Sequence, residues 1–365
     1  MSGVIVGAVK DPGGANSVLP VMDFMRHTGE SILLYADGVS FERLKNSRPV
    51  ISAACPVEEL FAYYPVRAVV TTTCSPGGRV PREIVAYARV VGKKSVAVQD
   101  FWGNHARGPW TVLPDAFCVQ DEYAKKLILQ SYGTMLTAED IFVTGQPAFD
   151  WLVGVDCGAA RSKLRQVLDL QEDWPLIYFS GQAWGMPHAL RETINALNLL
   201  EKDLYLLFRE HPRVASFDAS DEFRQIRAEY LPLFYELKFG SVVNTSSFPT
   251  DELLVAGSDL IMGMYPTALV QGCYLRKPCI SVWVPAAKEA LTNESQGQLT
   301  EFPPSALGAC LKATDAEELE FQLGSILEQD PDFLLCLRRE QEKHYSGDGK
   351  AHVRVARAVY EVLTR

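Results

Sequence analysis

Residues 258–282 read SDLIMGMYPTALVQGCYLRKPCISV, a stretch that few folds can accommodate. An apolar run from Leu260 to Met262 is followed by Gly263, Tyr265 and Pro266, then by a helical pattern from Thr267, then by a second apolar run from Cys279 to Val282. That order reads as strand, tight turn, helix, strand. Such a unit predicts parallel strands joined by a right-handed crossover, with the turn where the strand's carboxyl end meets the helix's amino end. Backbone N–H groups and the positive end of the helix dipole point there, so the turn suits an anion. Upstream, residues 204–208 read as another strand and run into Arg209, Glu210, His211, Pro212 and Arg213, which puts two guanidiniums and an imidazole at a second strand end. Each piece alone is what an ordinary α/β core with a charged loop contains. Together they point to a phosphate-bearing ligand.

The rest of the chain repeats the alternation. Residues 4–9 form a β-branched run of the kind buried on both faces of a parallel sheet. The run ends in Asp11, Pro12, Gly13, Gly14, Ala15 and Asn16, before a helical pattern. A glycine pair there lets a ligand or another backbone approach, although it can equally just make the turn. The spacing is not GxGxxG, so no dinucleotide fingerprint is present. Further strands are predicted at 32–35, 68–72, 95–99, 116–119 and 141–143, with glycine-rich turns at 73–78 and 100–110. An amphipathic stretch at 151–170 marks a domain junction. A second series follows: strands at 176–179, 204–208, 241–244, 260–262 and 279–282, helices at 187–200, 216–231, 250–256 and 315–328, and a last helix at 351–363. The expected fold class is α/β, with two Rossmann-like, doubly wound parallel-sheet domains facing across a cleft. Their limits fall at 1–153 and 154–345, with residues 346–365 forming a helix able to cross back to the first domain.

Length agrees with two domains, since 365 residues are about twice a typical domain. Hydrophobic residues make up 47% and charged residues 22%, a balance that supports a large core. The net charge of −10 argues against a general nucleic-acid binder, which needs a cationic surface. The eight cysteines show no CxxC pair and no zinc-type spacing, and are expected as buried free thiols in a reducing cytosol. No signal peptide is read at the amino terminus, and no run reaches the about 18 apolar residues of a membrane span. The expected location is cytoplasmic; peripheral membrane contact and homo-oligomerisation both stay open.

Four motifs in order carry a resemblance. They are Val143 to Asp150 (VTGQPAFD), Arg209 to Arg213 (REHPR), the 258–282 stretch, and Ser346 to Ala351 (SGDGKA). They resemble the VTGxPxxD, K/R-x-HP, SDxxITxxSTxxxEAxxxxKPxIxV and DGKA motifs of the GT-B glycosyltransferase superfamily. Within it, the chain is most similar to the branch of CDP-glycerol glycerophosphotransferases, capsule-type transferases and non-hydrolysing UDP-N-acetylglucosamine 2-epimerases. The resemblance implies a nucleotide-activated donor on the second domain and an acceptor, glycan, lipid-linked or small, on the first. It implies no cofactor and no obligatory metal, and a role in glycan or cell-surface polysaccharide biosynthesis. His211 and the turn at Pro266 and Thr267 would hold the diphosphate. The chain departs from the pattern in two places. Gln271 stands where the family has a glutamate for the ribose hydroxyls, which removes a charge-assisted bond. Tyr265 and Pro266 replace a serine pair, and the proline subtracts one N–H from the anion site.

Expulsion of a nucleoside diphosphate needs charge compensation on the leaving group and a base for the acceptor. Arg209, His211, Arg213 and the helix start at Thr267 are candidates for the first, with Ser180, Gly181 and Gln182 at the first strand end of the second half as further lining. Asp100 is the first candidate for the base and His105 the second, ahead of Asp11, which also suits a turn former. Both lie in a loop with Trp102 and Trp110, where aromatics and glycines can form a sugar platform, although tryptophans also simply pin loops down. Gly13, Gly14, Asn16 and Trp102 are the acceptor-side candidates. Two other functions remain on the same fold: nucleotide-sugar epimerisation or hydrolysis, weakened by the lack of paired acids after the diphosphate turn, and non-catalytic binding of a nucleotide sugar.

Overall fold

The computed structural model describes residues 3–73, 79–106, 110–170, 173–216 and 219–365. The glycine-rich turn at 74–78 and Arg107, Gly108 and Pro109, all singled out above, lie outside the described residues. The chain divides into two compact units: 1–153 with 294–299 and 347–365, and 154–293 with 300–346.

In the first unit the elements are β1 (Val4–Val9), α1 (Pro12–His27), β2 (Ile32–Ala36), α2 (Gly38–Leu44), β3 (Ile51–Ser52), α3 (Val57–Tyr63), β4 (Val66–Thr72), α4 (Arg79–Val90), β5 (Lys94–Val98), β6 (Ala116–Val119), α5 (Glu122–Tyr132) and β7 (Ile141–Val143). In the second they are α6 (Cys157–Val167), β8 (Leu176–Ser180), α7 (Met186–Leu200), β9 (Tyr205–Arg209), α8 (Pro212–Ala215), α9 (Asp221–Tyr230), β10 (Ser241–Asn244), α10 (Asp251–Gly257), β11 (Leu260–Gly263), α11 (Thr267–Tyr274), β12 (Cys279–Val282), α12 (Pro285–Glu294), α13 (Pro303–Ala306), β13 (Leu311–Ala313), α14 (Ala316–Leu327) and α15 (Pro331–His344). The last helix, α16 (Ala351–Thr364), belongs to the first unit.

The sheet of the first unit runs β3-β2-β1-β4-β5-β6-β7 and that of the second β10-β9-β8-β11-β12-β13. All the strand pairs are parallel. The expected fold class is therefore what the chain adopts: two doubly wound α/β sheets. Each sheet reverses winding direction beside its first strand, between β1 and β4 and between β8 and β11. In such sheets ligands collect at these switch points, outside the carboxyl ends of the strands.

The strands are as continuously apolar as burial on both faces requires. In the first unit Ile5 and Val9 pack with Val18, Met22 and Met25 of α1 and with Val355, Val359 and Val362 of α16. Val6 and Ala8 pack on the opposite face with Leu60 of α3 and Ile84 and Ala88 of α4. Several elements differ from expectation. The helix expected over 216–231 starts only at Asp221, as α9, with Ser220 accepting from the Phe223 N–H as its cap, and a separate short turn, α8, precedes it at 212–215. β3, β13 and α12 were not anticipated; the two strands have only two and three residues, too few to show a period. Among the described residues no helix is long and apolar enough to cross a membrane. The described cysteines are all free, with Cys118, Cys273, Cys279 and Cys310 buried but Cys336 exposed.

Two of the four motifs have a structural role. Asp150 accepts the Ala351 N–H on Oδ1 (3.0 Å) and the His352 N–H on Oδ2 (2.9 Å), and its Oδ2 also accepts from His352 Nδ1 (2.7 Å). The carboxylate so caps α16 and complements its dipole. Arg354 donates back to the Thr144 carbonyl (2.7 Å) and to Asp348 (2.7 and 2.9 Å). Gly145, at φ +79°, lies against Ala351 and Arg354, where a side chain would be both strained and crowded. VTGQPAFD and SGDGKA thus form one latch that holds α16 on its sheet. Asp150→Ala leaves two amide donors and an imidazole without their acceptor and is expected to cost about 2 kcal/mol of stability, read as a lowered urea midpoint with unchanged slope.

Candidate functional site

At the β8–β11 switch point three strand ends meet because glycines let them. Gly181, just beyond β8, donates its N–H to the Arg209 carbonyl at 2.8 Å. A Cβ there would stand 2.7 Å from that carbonyl oxygen and 3.4 Å from the His211 nitrogen. On the other side, a Cβ on Gly263 would stand 2.7 Å from the Ser180 carbonyl oxygen and 2.8 Å from the Pro266 ring. Gly185, at φ +74°, is the residue before α7 and abuts Met264 and Ala286. The ends of β8, β9 and β11 are therefore drawn together, with Ser180, Gly181 and Gln182 at the end of β8, His211 after β9, and Pro266 and Thr267 after β11.

His211 is held in one tautomer. Its Nδ1 accepts the Arg213 N–H at 3.2 Å, capping α8, so the neutral ring carries its proton on Nε2. Burial, helped by the Arg213 charge, lowers its pKa from the ordinary 6.5 to about 4. The ring is thus an uncharged donor at neutral pH. In α11 the first-turn N–H groups of Thr267 and Ala268 have no acceptor within the helix, while Leu269 N–H bonds the Pro266 carbonyl. Pro266 is buried and serves as the residue before the helix; Thr267 is exposed. Gln271, one turn further on, is half-buried.

The two arginines differ from expectation. Arg209 is not an unpaired cation at the crevice: its Nη1 bonds Asp251 at 2.8 Å, and the same carboxylate oxygen accepts from Tyr178 OH at 3.0 Å. Arg213 is exposed and lies 5.8 Å above the ring of Trp184, whose indole N–H donates to Glu222. Sequence reasoning missed Asp251, Trp184 and Glu210. Asp251 is 42 residues from Arg209, a separation that no local pattern spans.

In the first unit Asp100 stands just beyond β5, with Thr73 Oγ1 and Asn104 Nδ2 both donating to its Oδ1 at 2.8 Å. Its Oδ2 is 3.7 Å from where a Gly13 Cβ would be, which sets it beside the glycine pair that opens α1. Gly14 must lack a side chain, because a Cβ would meet Thr72 Cγ2 at 2.5 Å. Asn16 is exposed and accepts from Arg43 at 3.0 Å. The structure so brings Asp100, Gly13 and Gly14 together and turns Asn16 to α2.

Two candidates are corrected. His105 is fully buried; Gln99 Nε2 approaches its Nδ1 at 3.2 Å and Ser131 Oγ its Nε2 at 3.1 Å, so no ring nitrogen is left for an acceptor hydroxyl. Its carbonyl takes two more bonds, from Trp110 and Tyr132. Trp102 is only 1% exposed and its indole donates to Asp121, the cap of α5, at 2.9 Å, so it pins the loop and is not a sugar platform. Among the described residues no group of three or more His, Cys, Asp or Glu side chains is placed to hold a metal ion.

The buried histidine has a consequence for stability. Burial lowers the pKa of His105 from 6.5 to about 4, partly offset by a backbone hydrogen bond. Between those values the unfolded chain binds a proton that the folded chain does not, so stability falls as pH drops through that window and is intact above it. The loss is on the order of 2–3 kcal/mol by pH 4. Urea unfolding at pH 7, 6 and 5 is expected to show the decline, and His105→Gln to flatten it.

No protein-family model matches the chain, and no curated protein does. Solved structures do. A glycosyltransferase from Rickettsia africae ESF-5 superposes with a TM-score of 0.64 at 14% identity, over 100% of this chain and 99% of that one. UDP-GlcNAc 2-epimerase from Neisseria meningitidis, bound to UDP-GlcNAc, gives 0.65 at 11%, over 98% and 100%. The wall teichoic acid polymerase TagF gives 0.61 at 12%, over 100% and 89%. The chain shares its overall fold with these proteins over nearly its whole length: two parallel-sheet α/β units of the GT-B type.

Proposed function

We propose that the chain is a glycosyltransferase, or a transferase of a polyol phosphate, that uses a nucleotide-activated donor in glycan or cell-surface polysaccharide synthesis. The observation that carries this is the convergence of strand ends at the switch point of the second unit, with the neutral His211 following β9 and the opening N–H groups of α11 following β11. These are donors suited to a diphosphate whose negative charge grows as the glycosyl bond breaks. Gly181 and Gly263 support the reading, since backbone can approach the phosphates where side chains are absent. UDP-GlcNAc, bound in the similar epimerase from Neisseria meningitidis, agrees with such a donor.

In the reaction the acceptor oxygen forms the new bond to the anomeric carbon and loses its proton to a base. The bond from that carbon to the diphosphate oxygen breaks, and the nucleoside diphosphate leaves with the electron pair. Asp100 is the carboxylate assigned as base: both donors to its Oδ1 hold the group in one orientation, and it lies beside the glycine turn of α1. His105 is withdrawn from that role by its burial. Arg213 is the remaining cation for the leaving group, and Gln271 is assigned to the ribose as a neutral amide.

An enzyme of the epimerase or hydrolase type, or a binding protein without turnover, is separated from a transferase by one assay. With a panel of nucleotide sugars and CDP-glycerol, nucleotide release that requires an acceptor supports transfer; release without one supports hydrolysis; binding without release supports neither enzyme. His211→Ala is expected to weaken nucleoside diphosphate binding about tenfold, the loss of roughly 1.4 kcal/mol, by calorimetry. Asp100→Asn is expected to lower turnover at least a hundredfold with donor affinity retained. Unchanged affinity in the first variant removes His211 from the site.

A further inference from the structure

Between Arg209 and His211 stands Glu210, and its carboxylate points the other way. Side chains alternate across a strand end, so Arg209 turns to Asp251 on α10 while Glu210 enters the core, 5% exposed. There Arg227 grips it with Nε at 2.7 Å and Nη2 at 3.3 Å, and Tyr230 OH donates to the same carboxylate. Both partners belong to α9, and Tyr230 is itself 1% exposed. The peptide that precedes Glu210 is tied at both ends: Glu210 N–H donates to Ser246 Oγ at 3.0 Å, and the Arg209 carbonyl takes the Gly181 N–H at 2.8 Å.

An ion pair with its carboxylate in the core and its guanidinium at the surface adds little net stability, because desolvation of the carboxylate offsets the attraction and solvent screens the exposed partner. What the fork of an arginine and a phenolic hydroxyl supply is direction. They fix the carboxylate in one orientation and, through it, the main chain that leads into the next residue. We infer that Glu210, clamped by Arg227 and Tyr230, is a positioning residue for His211, setting the tautomer and surroundings of the imidazole without touching a ligand. The functional half of this inference rests on the reading of His211 as a diphosphate donor; the geometric half does not.

The two halves are tested separately. The imidazole of His211, assigned among the six histidines by loss of its signal in His211→Ala, is followed by NMR against pH without any nucleotide. In the native chain its midpoint is expected near pH 4, with the proton on Nε2, depressed first by burial and second by the neighbouring Arg213 charge. In Tyr230→Phe, which keeps the ring in the core, and in Glu210→Gln, the midpoint is expected to move toward the ordinary value of about 6.5 and the tautomer preference to weaken. Binding of inorganic pyrophosphate, measured by calorimetry, is expected to fall at least fivefold in each variant and to fall no further when either is combined with His211→Ala. A His211 midpoint and tautomer that stay native in folded Tyr230→Phe, by circular dichroism, overturn the inference. If the midpoint moves while native protein binds neither pyrophosphate nor nucleotide, the positioning stands and the proposed function fails.

Discussion

The second unit depends on two places where no side chain can exist. Gly181 and Gly263 bring the ends of β8, β9 and β11 so close that a methyl group on either would sit 2.7 Å from a neighbouring carbonyl oxygen. The closeness draws together the strand ends that lead into His211 and into the first turn of α11. It also explains why the site is made largely of backbone. Where strand ends converge this tightly, amide groups are the donors that fit.

This arrangement also resolves an electrostatic tension. The protein carries a net charge of −10, yet the proposed ligand is an anion. A field of surface cations is absent from the site: Arg209 is neutralised by Asp251 and Arg227 by Glu210, leaving Arg213 on the exposed side. In the proposed function, helix amino ends and a neutral imidazole take the place of those cations. Their partial charges act at short range and leave the overall repulsion of anions by the acidic surface in place. Such a site selects by geometry of contact more than by long-range steering.

Much of the fold could be read from the chain because burial on both sheet faces writes itself as unbroken apolar runs, as at Val4–Val9 and Cys279–Val282. Short edge strands such as β3 leave no such trace, and the interruption of α8 and α9 needed the cap at Ser220 to be recognised within a helical pattern. The glycines of the site were visible as punctuation, but what they approach was not. Side-chain roles were least legible. His105 and Asp100 share one loop after one strand; only the partners Gln99 and Ser131, against Thr73 and Asn104, tell a packed imidazole from a carboxylate beside the turn. Glu210 looked like a member of a charged loop because its partners lie 17 and 20 residues downstream.

The Asp150 latch bears on the order in which the chain can assemble. The first unit takes its closing helix from residues 351–364, some 200 positions after the carboxylate that receives it. During synthesis the amino-terminal sheet emerges early, with the apolar face that Val355, Val359 and Val362 will cover still open to water. Only after the intervening unit has been made does the lid for that face arrive. The unit made second is therefore free to finish first, and the earlier one spends translation in a state that chaperones can recognise.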